Sequence, residues 1–412
     1  MSARNLEAVP SLYQLFDPEV LANPYPLYHR LRSERPVHWD PFLHSWVVTR
    51  YADVIRVLHH FSAKRTPTPE QLTSKGLSSM NPIAQVMVRQ MLFLDAPDHT
   101  RLRALASAAF TPARVERLRS HIQEIVDGLL DPVVPLGKMD VIADLAGPMP
   151  AIVTAEMLGV PSSDHKQLRI WSTDFAEMLG NFQHNPDRLP RVLCSVEAMS
   201  EYFCSAIRER RRRPSDGLIQ AMMDAEVEGE RLTEEEIVAN LIVTMVGGQE
   251  TTTNLIGNGV LTLLRNRDEL EKMRCDPFCI PSGVEELLRY ESPSQHTARI
   301  APTDVEMGGC HIKKGQAVIA VMAAGNRDPE RFPDPDRLDV TRTDNRHLAF
   351  GWAAHFCFGA ALARLEGQIA FSTILRRLPN LALPESQALV WRHNLGLRGL
   401  NRLNVVFGKF EG

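Results

Sequence analysis

Residues 233–266 constrain the fold more than any other part of the 412-residue chain. Thr233 and Glu236 make the pattern in which a hydroxyl and a carboxylate satisfy each other's backbone N–H groups at a helix start. The apolar pattern then runs for about thirty residues, roughly 45 Å at about 1.5 Å per residue. A helix of that length crosses a whole domain. Its centre, residues 241–246, is apolar nearly all round, as a surface helix would not be. Gly247, Gly248, Gln249, Glu250, Thr251, Thr252 and Thr253 follow. Two glycines weaken a buried helix by about 1 kcal/mol each, and β-branched residues weaken it further. Glycines let a bulky group approach the backbone, and a buried hydroxyl beside a carboxylate bends the helix or relays protons. A packing notch against another helix would use the same glycines, so this segment alone leaves both readings open.

Helical periodicity also covers residues 100–110, 113–130, 191–213, 282–290 and 360–378. Short strand-like stretches occupy 36–39, 45–49, 305–319 around a Lys313-Lys314-Gly315 turn, and 401–407. The expected fold class is therefore mainly α with small peripheral β-sheets (α+β). With no internal repeat, low-complexity tract or Gly/Ser linker, residues 1–412 are expected to form a single domain. The net charge of -4 gives no reason to expect a nucleic-acid partner. The one basic run, Arg208 with Arg210 to Arg213, leads into Pro214 and Asp216 and reads as a helix end with a solvated face. The first fifteen residues carry charges and prolines without the apolar core of a signal peptide or membrane span, so a cytoplasmic protein is expected. The six cysteines show neither a C-x-x-C pair nor zinc-ligand spacing.

One of those cysteines stands apart. Residues 350–364 read FGWAAHFCFGAALAR, a loop rich in small residues followed at once by a helix. In this the chain resembles the cytochromes P450, whose iron-ligating loop has the pattern F-G-x-G-x-H-x-C-x-G, matched here by Phe350, Gly351, His355, Cys357 and Gly359. The resemblance implies the P450 fold with its long central helix over haem b, and makes Cys357 the metal ligand. A thiolate donor pushes electron density toward bound oxygen and favours O–O cleavage. A position just before a helix N-terminus favours thiolate over thiol, and Gly359 would let the backbone pass beneath the flat macrocycle. One departure is Ala353, where the family has its second glycine. If that position needs positive φ, alanine is strained there by about 1 kcal/mol or the loop adjusts.

The resemblance extends along nearly the whole chain. Glu286 and Arg289, three apart on one helix face, match the family's buried Glu-Arg pair, with Arg342 as third member. Their implied role is folding around the haem. Cofactor-binding partners for the two propionates would be His99 and Arg103, Arg299 and His355, with Phe350 and Gly359 from the cysteine loop. Glu250 and Thr251 match the catalytic acid-alcohol pair that delivers two protons to oxygen. The implied reaction is insertion of one atom of dioxygen into a C–H or C=C bond, the other becoming water. Its electrons come from NAD(P)H. With no flavin or iron–sulfur segment left over, a separate ferredoxin and reductase would supply them, docking near Cys357 where Arg114, Arg117 and Arg346 offer positive charge. The substrate is expected to be a mostly apolar small molecule, because residues 71–88, 171–182, 241–248, 293–298 and 394–397 are rich in Met, Leu and Val. A peroxide-driven peroxygenase or a non-oxygenating haem-thiolate enzyme would keep Cys357 without needing Glu250 and Thr251. A non-catalytic binding module would be expected to lose the ligand or the pair.

Overall fold

The computed structural model describes residues 10–109, 111–180, 187–227 and 229–408. Phe110 and Phe182, at the ends of an expected helix and an expected pocket segment, lie outside them.

The central helix runs Glu234–Arg265. Thr233 closes its N-terminus as a capping box, its hydroxyl accepting from the Glu236 N–H at 3.2 Å while the Glu236 carboxylate accepts from the Thr233 N–H at 2.9 Å. Glu234, Glu235 and Glu236 in the first turn complement the helix dipole. Beyond that turn the helix is buried along most of its length, including Leu241, Ile242, Met245, Val246 and every residue from Thr252 to Leu264. It can be buried all round because it packs on Pro148–Leu158, His165–Gly180 and Leu189–Arg212, and also on Ile280–Tyr290 and Ala360–Arg377. Two apolar clusters follow: Phe175, Val196, Phe203 and Ile242 belong to one, and Leu255, Val260, Leu287 and Phe371 to the other. Removing apolar area of this extent from water, at about 25 cal/mol per Å², is the dominant force holding the helices together.

Small sheets lie around this helical body. The largest has four strands in the order Val37–Asp40, Ser45–Val48, Ala317–Ala320, Thr297–Ile300, with the middle pair parallel and the outer pairs antiparallel. The mainly α class with peripheral strands is thus observed, and three local expectations need correction. Residues 113–130 form two helices, Pro112–Glu116 and Arg119–Leu130. Buried Val115, Ile122, Val126 and Leu130 keep helical spacing across the break, so periodicity does not detect it. Within residues 305–319 the hairpin Val305–Met307/Cys310–Ile312 turns at Gly308 and Gly309, whose φ angles of 56° and 74° suit a two-residue turn between twisted strands. The Lys313-Lys314-Gly315 turn instead leads on to the four-stranded sheet. The stretch 401–407 changes partners at Leu403: Leu400–Arg402 pairs with Val390–Trp391, and Asn404–Val406 with Lys138–Asp140. Among the described residues, one segment, Val141–Leu158, is long and apolar enough to cross a membrane, and 67% of it is buried inside the fold.

Candidate active site

A cavity of about 320 Å³ lies between the middle of the central helix and the loop that carries Cys357. Gly247, Gly248, Thr251 and Thr252 line it from the helix, and Gly351, His355, Cys357 and Gly359 from the loop. The two helix glycines divide the roles left open by the sequence. A Cβ on Gly248 would stand 2.9 Å from the Thr154 hydroxyl, which makes it a packing notch. A Cβ on Gly247 would meet no protein atom within 4 Å, so that face belongs to the cavity. Met91, Leu92, Val243, Val246 and Leu397 make much of the wall apolar, with Thr244, Ser294, His296 and Thr297 as polar exceptions. Burial pushes His296 down to about 4, so it is neutral at ordinary pH.

The cysteine loop is held from behind. The Cys357 N–H donates to the Phe350 carbonyl at 2.7 Å, and Gly351 and Ala353 have φ of 72° and 55°. The alanine therefore occupies the left-handed conformation that the family's glycine suits, and the loop has not adjusted to avoid it. Gly359 has no protein atom within 4 Å of where a Cβ would sit, on the side that lines the cavity. Burial pushes the Cys357 thiol up, opposed by the Gly359 N–H and the charges of Arg103 and Arg364. Position before a helix does not by itself make this cysteine a thiolate. A coordinating cation would, because coordination deprotonates a thiol outright.

Basic groups cluster at the cavity. His99, Arg103, Arg299 and His355 all line it, and so does Arg65. Burial lowers the pKa of all five: Arg299 falls to about 10, and with repulsion from neighbouring basic groups added Arg65 falls to about 9 and His355 to about 3, so His355 is neutral. Arg299 is 3% exposed and its Nε has no partner, and neither has His99 Nε2. The buried arginines remain cations and call for anions, while the neutral imidazoles can donate hydrogen bonds. A flat group with two carboxylates at one edge would meet that demand in a cavity lined by Gly359 and Cys357, and haem has that form. Arg103 has a further contact, donating from Nη2 to the Phe356 carbonyl at 2.9 Å and so bracing the cysteine loop.

The expected acid-alcohol pair is not brought together at the cavity. Thr251 lines it, with its hydroxyl donating to the Gly247 carbonyl at 2.7 Å. Glu250, 4% exposed, points elsewhere: it is ion-paired with Arg392 and accepts from the Thr173 hydroxyl at 2.6 Å. Among the described residues lining the cavity the one carboxyl group is Glu366. It is 1% exposed, one of its oxygens has no partner, and burial pushes it up to about 8 against the pull of the Thr252 hydroxyl. Sequence reasoning missed Arg65, Thr252, Glu366 and Arg392. An acid on the mostly apolar face of a helix is a readable signal for Glu366, whereas Arg65 and Arg392 become site residues only through long-range packing.

Glu286, Arg289 and Arg342 do assemble as expected. Glu286 and Arg289 have fully buried side chains joined by bonds of 2.7 and 2.8 Å. Arg342 Nε stands 3.2 Å from the same carboxylate, and the Asp339 N–H and the Asn345 amide complete its shell at 2.9 and 3.1 Å. Arg289 also donates to the carbonyls of Asn326 and Pro335, each at 2.8 Å. One buried pair thus ties together the irregular chain leading to the cysteine loop.

Comparison with known proteins bears on this geometry. Residues 44–276 and 281–395 match the family described as Cytochrome P450. A biotin biosynthesis cytochrome P450 of Bacillus subtilis is 40% identical over 94% of this chain and 97% of its own length. The cytochrome P450 monooxygenase PikC of Streptomyces venezuelae is 39% identical over 93% of this chain and 91% of its own. Among solved structures, P450BioI in complex with an acyl carrier protein ligated to hexadec-9Z-enoic acid superposes with a TM-score of 0.89 at 39% identity, covering 95% of this chain and 99% of that one. The myxobacterial CYP267B1 in complex with myristic acid gives 0.87 at 38%, covering 96% and 99%. With matches of this extent and a cavity shaped and charged for haem, the chain belongs to the cytochrome P450 family, whose members are monooxygenases with haem b as cofactor.

Proposed function

We propose that residues 1–412 form one haem-binding unit that inserts an oxygen atom from dioxygen into a mostly apolar natural product, with electrons from a separate ferredoxin and an NAD(P)H-dependent reductase. The observation that carries this reading is the cavity itself, with Cys357 and Gly359 on one side, Gly247 and Thr251 on the other, and five basic groups among its lining. In this reading Cys357 would hold the haem iron through its sulfur, and Arg65, His99, Arg103, Arg299 and His355 would hold the propionates. Haem supplies the dioxygen-activating chemistry, and the protein supplies position and protons. Thr251 presents a hydroxyl to the cavity and accepts protons passed inward from Glu250 or from Glu366 beside Thr252. Glu250 must part from Arg392 or Thr173 to serve. The apolar wall excludes water and favours substrates of the same character. Two of the relatives carry names from biotin and polyketide biosynthesis, which supports a biosynthetic substrate. A cytoplasmic location fits a ferredoxin partner, and Arg114, Arg117 and Arg346 are exposed for docking.

The test is Thr251→Ala, assayed as product formed per NAD(P)H consumed with a ferredoxin and reductase, using the ligand that gives the largest spin-state shift. Thr251 acts in proton delivery if the variant still consumes NAD(P)H but diverts electrons to hydrogen peroxide. Full coupling in the variant would mean that protons reach the oxygen by another route, whereas faster parent turnover with peroxide alone than with the electron-transfer proteins would favour a peroxygenase.

A further inference from the structure

Beside the cysteine loop, and not among the residues that line the cavity, is a group of charges to which the preceding reading gives no role. Glu285 precedes the buried Glu286 on the same helix and takes different partners. Its carboxylate accepts a bidentate pair from Arg364, Nε at 2.7 Å and Nη2 at 2.8 Å, and lies 3.3 Å from His347 Nε2. His347 is buried, and its Nδ1 accepts from the Ala349 N–H at 3.2 Å, so Nε2 carries the hydrogen that faces Glu285. These contacts bring Glu285 down to about 2 although burial alone would raise it. An ordinary surface ion pair is worth little, but this one is fixed on both sides. The Arg364 guanidinium also lies over the Phe350 ring, 4.6 Å from its centroid, and Phe350 is the residue whose carbonyl takes the Cys357 N–H. Arg364 follows Cys357 by seven residues, in the helix Ala360–Arg377 that starts just after the loop, so its guanidinium is held beside the loop through Phe350. Planar, bidentate and stacked, this arginine is in the setting where lysine is a poor substitute for hydrogen bonding but an equal one for charge.

We propose that Arg364, aimed by Glu285 and His347, is a positioning residue that sets the reduction potential of the iron centre by holding one positive charge against Phe350, beside the loop that carries Cys357. The inference rests on Cys357 being the axial ligand. A nearby cation stabilises the more negative, reduced state, so Arg364 raises the potential and Glu285 tempers it. The two halves of one ion pair therefore act with opposite sign, which a purely structural role does not produce.

The experiment is a spectroelectrochemical titration of the haem-loaded parent, Arg364→Gln, Glu285→Gln and Arg364→Lys, without any redox partner, so that docking does not enter. Each protein is first checked for the thiolate-type spectrum of its reduced carbon-monoxide complex. If the parent lacks that spectrum, the ligand assignment fails and this inference with it; if the proteins have it, the potentials judge the inference alone. The midpoint should fall in Arg364→Gln, rise by a smaller amount in Glu285→Gln, and stay near the parent in Arg364→Lys. Shifts of the same sign in the two glutamine variants, or an unmoved potential in Arg364→Gln, overturn it. Should one glutamine variant not take up haem, the sign of the shift in the other, with Arg364→Lys as the charge-retaining control, decides in the same way.

Discussion

Replacing Glu366 by glutamine tests the electrostatics of the cavity. Glu366 is 1% exposed, lines the cavity and is pushed by burial to about 8 from an ordinary value of 4.5. Between those two values the unfolded chain releases a proton that the folded chain keeps. The native state then binds more protons, so stability falls as pH rises, by about 1.4 kcal/mol per unit. Below the unfolded value both states are protonated and the contribution is whole, and above the folded value both are ionised and it is lost. From pH 5 to pH 8 the decline is about 4 kcal/mol. Glutamine has the same shape and no titration. Urea midpoints of the haem-loaded parent and Glu366→Gln should agree near pH 5 and separate steadily toward pH 8, with the variant the more stable, because every other titrating group cancels in the difference. Parallel profiles over that range would refute the buried, protonated acid.

Three further outcomes follow from the geometry. Ala353→Gly should raise stability by somewhat less than 1 kcal/mol, since relief of about 1–2 kcal/mol at φ 55° is partly offset by about 0.4–1 kcal/mol of added freedom in the unfolded chain; a lower thermal midpoint would show that the loop is unstrained. Arg65→Leu and Arg299→Leu should each speed haem transfer to apomyoglobin by about tenfold or more, the loss of one charge-assisted bond worth about 1.5–3 kcal/mol, and unchanged transfer would remove that residue from the propionate shell. Glu286→Gln leaves Arg289 buried beside an amide and should cost about 3–5 kcal/mol in urea unfolding, so a near-neutral effect would contradict the view that this pair organises the chain before the cysteine loop.

How much of this could be read in advance depends on how local the signal is. The central helix was legible to its ends because a capping box and an all-round apolar core are written in consecutive residues. The cysteine loop was legible as a pattern, and the strain at Ala353 followed from one residue type at one position. Strand partners were not: nothing near Leu403 says that the chain leaves Val390–Trp391 for Lys138–Asp140 there. The same limit applies at the site. Glu250 was correctly placed on the helix that spans the cavity, but which way its carboxylate turns is decided by Arg392 and Thr173, 142 and 77 residues away. Arg65 reaches the cavity beside a bridge between Ser62 and Ile300, and burial of that kind has no signature in its own neighbourhood.

The central claim, that Cys357 holds the haem iron as a thiolate, is tested most directly by the absorption spectrum of the reduced, carbon-monoxide-bound protein. The parent should show the thiolate-type band. Cys357→Ser should lose it, while serine at Cys194, Cys204, Cys275, Cys279 or Cys310 should leave it in place. A Cys357→Ser protein that keeps the band, or its loss on replacing one of the other five, would contradict the account.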